Sequence, residues 1–535
     1  MKNETFSKVE HIFSALIRHR TWVVMAVAVL TAVMGWLASH VEVKTVFSDL
    51  LPKNHPYVAV NQQFKSTFGG SNMVSIMIEV KEGDIFKPSV LSKVQKITVG
   101  LQQVDSVDTY QIISIASKKI KEVRASTEGV ESRPIMWPEL PKGPAEMAVL
   151  KEAVLNNPLI YGPYVSMDLK ATLITADFLD GDINYSKAFE QIMALVKEAD
   201  GDGVMVRVVG EPVLYGWVNY YLDETIQIFF AAIASLVIIL LLITRTWHGT
   251  VLPLLAGVIS AIWALGAAKL MGFHLDPLVI VVAFLITAQA ISNSVQLISR
   301  YDDEIAHGAS SSAAAAVASA KNLFKPSMLA IVADAGCVLV VALTPIPMLE
   351  KISYIGTVWI FSIFISALVM TPVMLSFFSG RGGFVHPLNI RPVLEAILRG
   401  CAAVVTTRTR YIVLGLAGIT FLVSGWYAFN LKVGDANPGS PILWPDSSYN
   451  RDATDINRQF QGSDRMFVVV AGKEKGAMRE PEVLQSMANF QRYMEAQPEV
   501  GGSISLADIL PQVRRVLREG NPMYAELGND AGENS

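Results

Sequence analysis

Asp334 is the only carboxylate set deep inside any of the long apolar runs of this chain, in Ile331-Val332-Ala333-Asp334-Ala335-Gly336-Cys337-Val338. It lies seven residues past Ser327, roughly 10 Å into an apolar layer at the rise of a helix. A carboxyl at that depth is costly to hold charged, so it is suited to taking up and releasing a proton. The plainer alternative is a structural Asp, permanently protonated or hydrogen-bonded. Gln289, Ser292, Asn293 and Gln296 form a second feature, spaced i, i+3, i+4 and i+7 on one helical stripe. Four such groups do not face lipid; they either glue helices together or line a transport-coupled polar path. Packing the two runs together would bring Asp334 against the Asn293 stripe, giving one titrating group with neutral hydrogen-bonding neighbours. Gly336 would then permit close helix approach.

Other chemistries find little support. Cys337 and Cys401 form no CxxC pair, and the eight histidines are scattered, so neither a metal site nor any cofactor is expected. No GxxxxGK[ST] phosphate loop and no Ser/His/Asp order stands out, so enzymatic catalysis is not expected. A net charge of −4 gives no pointer to nucleic acid. Asp223, Glu224 and Asp276 sit at the ends of apolar runs, where solvation accounts for them. Asp302, Asp303 and Glu304 read as a solvated charge run.

The elements that must position Asp334 are membrane spans. Hydrophobic residues make up 51% of the chain, charged residues 17%, and the mean hydropathy is +0.38, which excludes an ordinary soluble globule. Seven stretches are long and apolar enough to cross a bilayer: 22–40, 226–244, 250–271, 277–298, 327–346, 352–378 and 411–430. The first follows Lys2, Lys8, Arg18 and Arg20, but its apolar core is too long for a cleaved signal peptide and no A-x-A site follows, so it reads as an anchor. A cytoplasmic N-terminus puts Arg245, Arg300, Lys321, Lys325, Arg381, Arg391, Arg399, Arg408 and Arg410 inside, leaving 41–225 and 431–535 outside.

The first outer segment alternates strands (72–80, 107–115, 159–165, 170–179, 204–209) with helices (88–103, 186–199). This predicts two small α+β subdomains of ferredoxin-like βαβ type, joined by a proline-rich connector over 125–145. Tyr161 and Tyr164, with Trp137 and Met136 from the connector, either pack a core or line a groove for a hydrophobic ligand. Cytoplasmic helices are expected over 309–322 and 391–405; the second gathers Val393, Leu394, Ile397, Leu398 and Cys401 on one interfacial face. The predicted layout is an N-terminus and first span (1–40), an outer α+β domain (41–225) and a five-helix bundle (226–378). A cytoplasmic linker (379–410), a seventh span (411–430) and an incomplete second outer domain (431–535) follow.

The second outer domain is recognised through an internal repeat. Arg18-His19-Arg20 recurs as Arg408-Thr409-Arg410 and Gly35-Trp36 as Gly425-Trp426, both at an offset of 390. Phe68-Gly69-Gly70-Ser71-Asn72 recurs as Phe460-Gln461-Gly462-Ser463-Asp464 at 392, and Pro88 with Val90-Leu91 as Pro481 with Val483-Leu484 at 393. So small a drift means duplication with short insertions. The chain therefore looks like the N-terminal portion of a two-repeat membrane protein.

One span, a large outer domain, then five close spans, with the unit duplicated, resembles the resistance–nodulation–division (RND) superfamily. Within it the chain is most similar to the hydrophobe and lipid exporters that include the mycobacterial large membrane proteins (MMPL) and the hopanoid transporters. Asp49-Leu50-Leu51-Pro52 with His55-Pro56, Phe68-Gly69-Gly70, Gly210-Glu211-Pro212 and Leu297-Ile298-Ser299-Arg300-Tyr301 carry the likeness. The second to sixth spans would correspond to the sterol-sensing bundle of related proteins.

The resemblance implies an inner-membrane exporter driven by protons, with a hydrophobic or lipid substrate and membrane lipids as partners. It admits periplasmic or outer-membrane accessory proteins and a homo-oligomer. Many relatives carry an Asp-Tyr pair in the fourth span, where this chain has Ser292 and Asn293, so the standard relay is absent there. A sterol- or lipid-sensing protein that does not transport is the main alternative; an inactive truncated transporter is another. A Sec-type translocation partner is disfavoured, because that unit ends after six spans.

Overall fold

The computed structural model describes residues 2–42, 47–68, 72–126, 129–179, 183–244, 246–274, 280–378, 391–431, 439–463 and 465–535. Gly69, Gly70, Ser71, Arg245, Asp276, Arg381 and Asp464, and the side chains of Asp223, Arg391 and Leu394, lie outside the described residues. In chain order the helices are α1 (Lys2–Arg18), α2 (Arg20–Ala38), α3 (Pro56–Phe68), α4 (Pro88–Leu101), α5 (Pro144–Leu155) and α6 (Tyr185–Ala199). The long apolar ones follow: α7 (Glu211–Thr244), α8 (Trp247–Leu270), α9 (Ile280–Ala306), α10 (Ser312–Val340) and α11 (Pro347–Ile363). Then come α12 (Met370–Leu375), α13 (Arg391–Thr406), α14 (Thr409–Phe429), α15 (Ser448–Gln459), α16 (Pro481–Glu495) and α17 (Leu506–Leu517). The strands are β1 (Met73–Val80), β2 (Val107–Ile113), β3 (Lys121–Ser126), β4 (Gly129–Pro134), β5 (Ala171–Phe178) and β6 (Val204–Gly210).

The chain divides into two compact units, residues 1–60 with 222–431 and residues 61–221 with 432–535. In the first, α2 packs on α8, α8 on α9 and α11, and α10 on α9 and α11. Lipid-compatible helices gain little from the hydrophobic effect against one another, so their contact rests on close packing at small residues. A Cβ on Gly266 would lie 2.7 Å from the Met34 carbonyl oxygen, and one on Gly356 3.1 Å from Val338. A Cβ on Gly336, by contrast, would meet nothing within 4 Å among the described residues, so the expected close approach there is not made. A π turn over Phe364–Val369 joins α11 to α12. Six helices are long and apolar enough to cross a membrane among the described residues, matching every predicted span except 277–298. That span is α9, within the same bundle.

The second unit is built on a four-stranded antiparallel sheet in the order β2-β5-β1-β6. Central β1 places Ile76 opposite Ile174 of β5 and Val208 of β6. Buried on both faces for most of its length, it is apolar apart from Ser75 and Glu79 and does not alternate. Val90, Leu91, Val94, Ile97 and Leu101 of α4 and Ala188, Ile192 and Val196 of α6 share one core with it. Asn184 caps α6, its side chain accepting from the Lys187 amide at 3.0 Å, which satisfies one of the free amides of the first turn.

Three sequence expectations are corrected here. The two strand–helix–strand units do not make separate subdomains: β1-α4-β2 and β5-α6-β6 interleave in one sheet. No strand forms over 159–165; Gly162 at φ +102° turns the chain back on itself, with isolated bridges from Tyr161 to Val165 and from Val165 to Thr172. The helix expected at 309–322 is continuous with the fifth span as α10, which carries Pro326 inside it. The proline connector, for its part, holds the β3–β4 hairpin and the start of α5.

Candidate functional site

Ser311 starts α10 by accepting from the Ala314 amide at 3.2 Å, and the helix runs unbroken past Asp334. Asp334 is half-buried at the boundary between the packed face of α10, with Ile331 and Ala335, and an exposed face with Ala333, Gly336 and Cys337. Gln289 of α9 donates from Nε2 to Asp334 Oδ2 at 2.8 Å. Asn293, only 5% exposed, donates from Nδ2 to the Gln289 carbonyl at 3.0 Å. The structure thus brings together the carboxylate of the fifth predicted span and the inner half of the polar stripe. Ser292 and Gln296 belong to the outer half; both are exposed and pair with each other at 3.4 Å. An amide can donate to a carboxylate or, turned over, accept from a carboxylic acid. Gln289 can therefore serve either protonation state of Asp334.

Sequence reasoning missed two further polar arrangements in this unit. Ser294, fully buried on the other side of α9, shares a 2.9 Å hydrogen bond with Thr371 of α12, just after the π turn. Asp49 accepts from His274 Nε2 at 2.9 Å and from Lys351 Nζ at 2.5 Å, while Lys53 pairs with Glu350 at 2.9 Å. Asp49 lies in the Asp49-Leu50-Leu51-Pro52 motif; its partners, 225 and 302 residues away, leave no local signal. This cluster fixes the segment after α2 to the ends of α8 and α11. Asp49→Ala would leave a lysine and a histidine without their shared acceptor. A loss of about 1–3 kcal/mol in unfolding stability is expected, read by thermal unfolding of the purified full chain; an unchanged midpoint would show the cluster to be ornamental.

The four candidate ligand-groove residues lie in the second unit. Met136 is buried in the core, and Tyr164 packs against it, its phenol pushed up by burial. Trp137 and Tyr161 are half-buried, the Tyr161 hydroxyl donating to the Met167 carbonyl at 2.9 Å. Among the described residues, no three His, Cys, Asp or Glu side chains gather as metal ligands.

A bundle of apolar helices joined in one chain to an α+β domain defines a polytopic membrane protein. The family model described as MMPL matches residues 50–409, about two thirds of the sequence, so the chain belongs to the MMPL family of the RND superfamily. Members of that family are transporters of hydrophobic substrates. The chain is also similar to MJ1562, described as a membrane protein, of Methanocaldococcus jannaschii. The two are 23% identical over 301 residues, covering 52% of this chain and 71% of the relative.

Proposed function

We propose that the protein is a proton-driven exporter of lipid-like or other hydrophobic molecules, with Asp334 as the proton-exchanging group of this bundle. The observation that carries this reading is the Gln289–Asp334 hydrogen bond between two helices of the bundle. A charged Asp334 accepts from the Gln289 amide; once protonated it becomes a donor, and the amide must turn to offer its oxygen. Asn293 is bonded to the backbone carbonyl of the same glutamine, so α9 responds as a unit. Cargo is taken up by the α+β unit, whose interleaved sheet we read as a single ferredoxin-like fold. The Lys/Arg bias supports a cytoplasmic N-terminus and an inner-membrane location, with that unit outside. Ser292 and Asn293 at the usual relay positions favour a second reading, a lipid-responsive protein that does not transport.

Reconstitution in proteoliposomes separates the two. A transporter moves a fluorescent lipid analogue only while a pH gradient is imposed, and alkalinises or acidifies the lumen as it does so. A sensor binds the analogue without moving it or the proton. Loss of lipid movement when the gradient is collapsed supports export; binding alone sinks it.

A further inference from the structure

The edge of the α+β sheet carries a polar cluster that the bundle chemistry does not use. β6 is an edge strand, and its outward amides need acceptors. Val206 N–H donates to Asp200 at 3.1 Å, Val208 N–H to Asp452 Oδ2 at 3.2 Å, and Gly210 N–H to the Tyr449 hydroxyl at 3.3 Å. The last two acceptors come from α15, some 240 residues further along the chain. Tyr449, Ala453 and Ile456 of this helix, with Phe460 just after it, are buried in the sheet core, so α15 is clasped onto the edge by both apolar and polar contacts.

The charges in this clasp are unevenly shared. Arg207 of β6 donates from Nε to Asp455 at 2.8 Å and from its other arm to Glu79 of β1. Glu79 also accepts from Gln459 at 2.6 Å, and Asp455 has Arg458 at 3.7 Å. Arg451 is exposed. Among the described residues Asp452 has one hydrogen bond, from a backbone amide, and it sits near another carboxylate and an arginine already paired with Asp455 and Glu79. Removing such a carboxylate from water without a cation of its own favours the neutral acid.

We propose that Asp452 is a proton-binding site, and that its protonation tightens the clasp of α15 on the β6 edge. Burial pushes its carboxyl up from 3.8 to about 6, against the Val208 amide and Arg207, with Asp455 adding to the rise and Arg451 opposing it. The sign follows from linkage. The docked helix binds a proton that the released, solvated helix gives up, so docking strengthens as pH falls through about 6 and levels off below the ordinary carboxylate range. Between pH 7 and pH 5 the docking equilibrium shifts by about tenfold.

Hydrogen–deuterium exchange on the full chain in lipid nanodiscs, corrected for intrinsic rates, tests this. Protection of the amides of 449–460 and of Val208 is expected to rise about tenfold from pH 7 to pH 5. Asp452→Asn keeps an oxygen acceptor for the Val208 amide and should be strongly protected at both pH values. Asp452→Glu should retain a pH dependence. Wild-type protection that does not change with pH overturns the proposal whatever the variants do. So does a dependence that survives in Asp452→Asn, which would move the titration elsewhere, for example to Asp177, which burial also raises despite Arg465.

Discussion

Replacing Asp334 with asparagine is expected to reduce gradient-driven movement of a hydrophobic cargo to the rate of passive leak, with the protein still folded. The asparagine oxygen can accept from Gln289 much as the carboxylate does at 2.8 Å, so little packing is lost and the unfolding midpoint should barely move. What disappears is the exchangeable proton, and with it the only means by which this pair can report a gradient to α9. Asp334→Glu, longer by one methylene, should recover part of the rate. A fully active Asp334→Asn protein would leave the carboxyl with a purely structural role.

The largest expected effect on stability lies in the other unit, at Gly210. This residue ends β6, pairs with Val74 of β1 and sits at φ +128°, where an L side chain is strained. A Cβ there would lie 1.9 Å from the Met73 carbonyl oxygen and 2.9 Å from the Val74 Cα, both backbone atoms of the central strand. Neither can move without breaking the β1–β6 ladder. Strain and clash together place the cost of Gly210→Ala on the order of 4 kcal/mol. Gly203 provides the comparison: φ is +80° but nothing lies within 4 Å of a Cβ, so Gly203→Ala should cost only about 1 kcal/mol. Equal unfolding midpoints for the two variants, measured by intrinsic fluorescence, would contradict the packing described for the β6 end.

These positions also mark how far the sequence can be read. The spans were legible because an apolar run of such length has few alternatives, and α4 and α6 because their buried residues recur at helical spacing. The break assumed before Ser327 was wrong because Pro326 is accommodated inside α10. Apolar and aromatic residues over 159–165 imitate a strand, and only the positive φ of Gly162 reveals the turn. Sheet order is not local at all: β1 takes its two partners from residues about a hundred or more positions away. The repeat shows this directly. An offset of 393 sets Met466 on Met73, yet 465–472 has no strand pairing, while β1 is flanked on both sides. At the site, spacing could align Gln289 with Asn293 and depth could single out Asp334. Which amide would reach the carboxylate depended on how α9 and α10 cross, and Asp49 with His274 and Lys351 on three separate chain segments meeting.

Infrared difference spectroscopy addresses the central claim most directly. Spectra of the full chain in nanodiscs, recorded between acid and alkaline buffer with and without deuterium exchange, are compared for wild type and Asp334→Asn. A protonated-carboxyl C=O band that appears on acidification in the wild type, shifts in deuterium oxide and is missing from the variant is the predicted result. Superimposable difference spectra would mean that Asp334 never exchanges a proton.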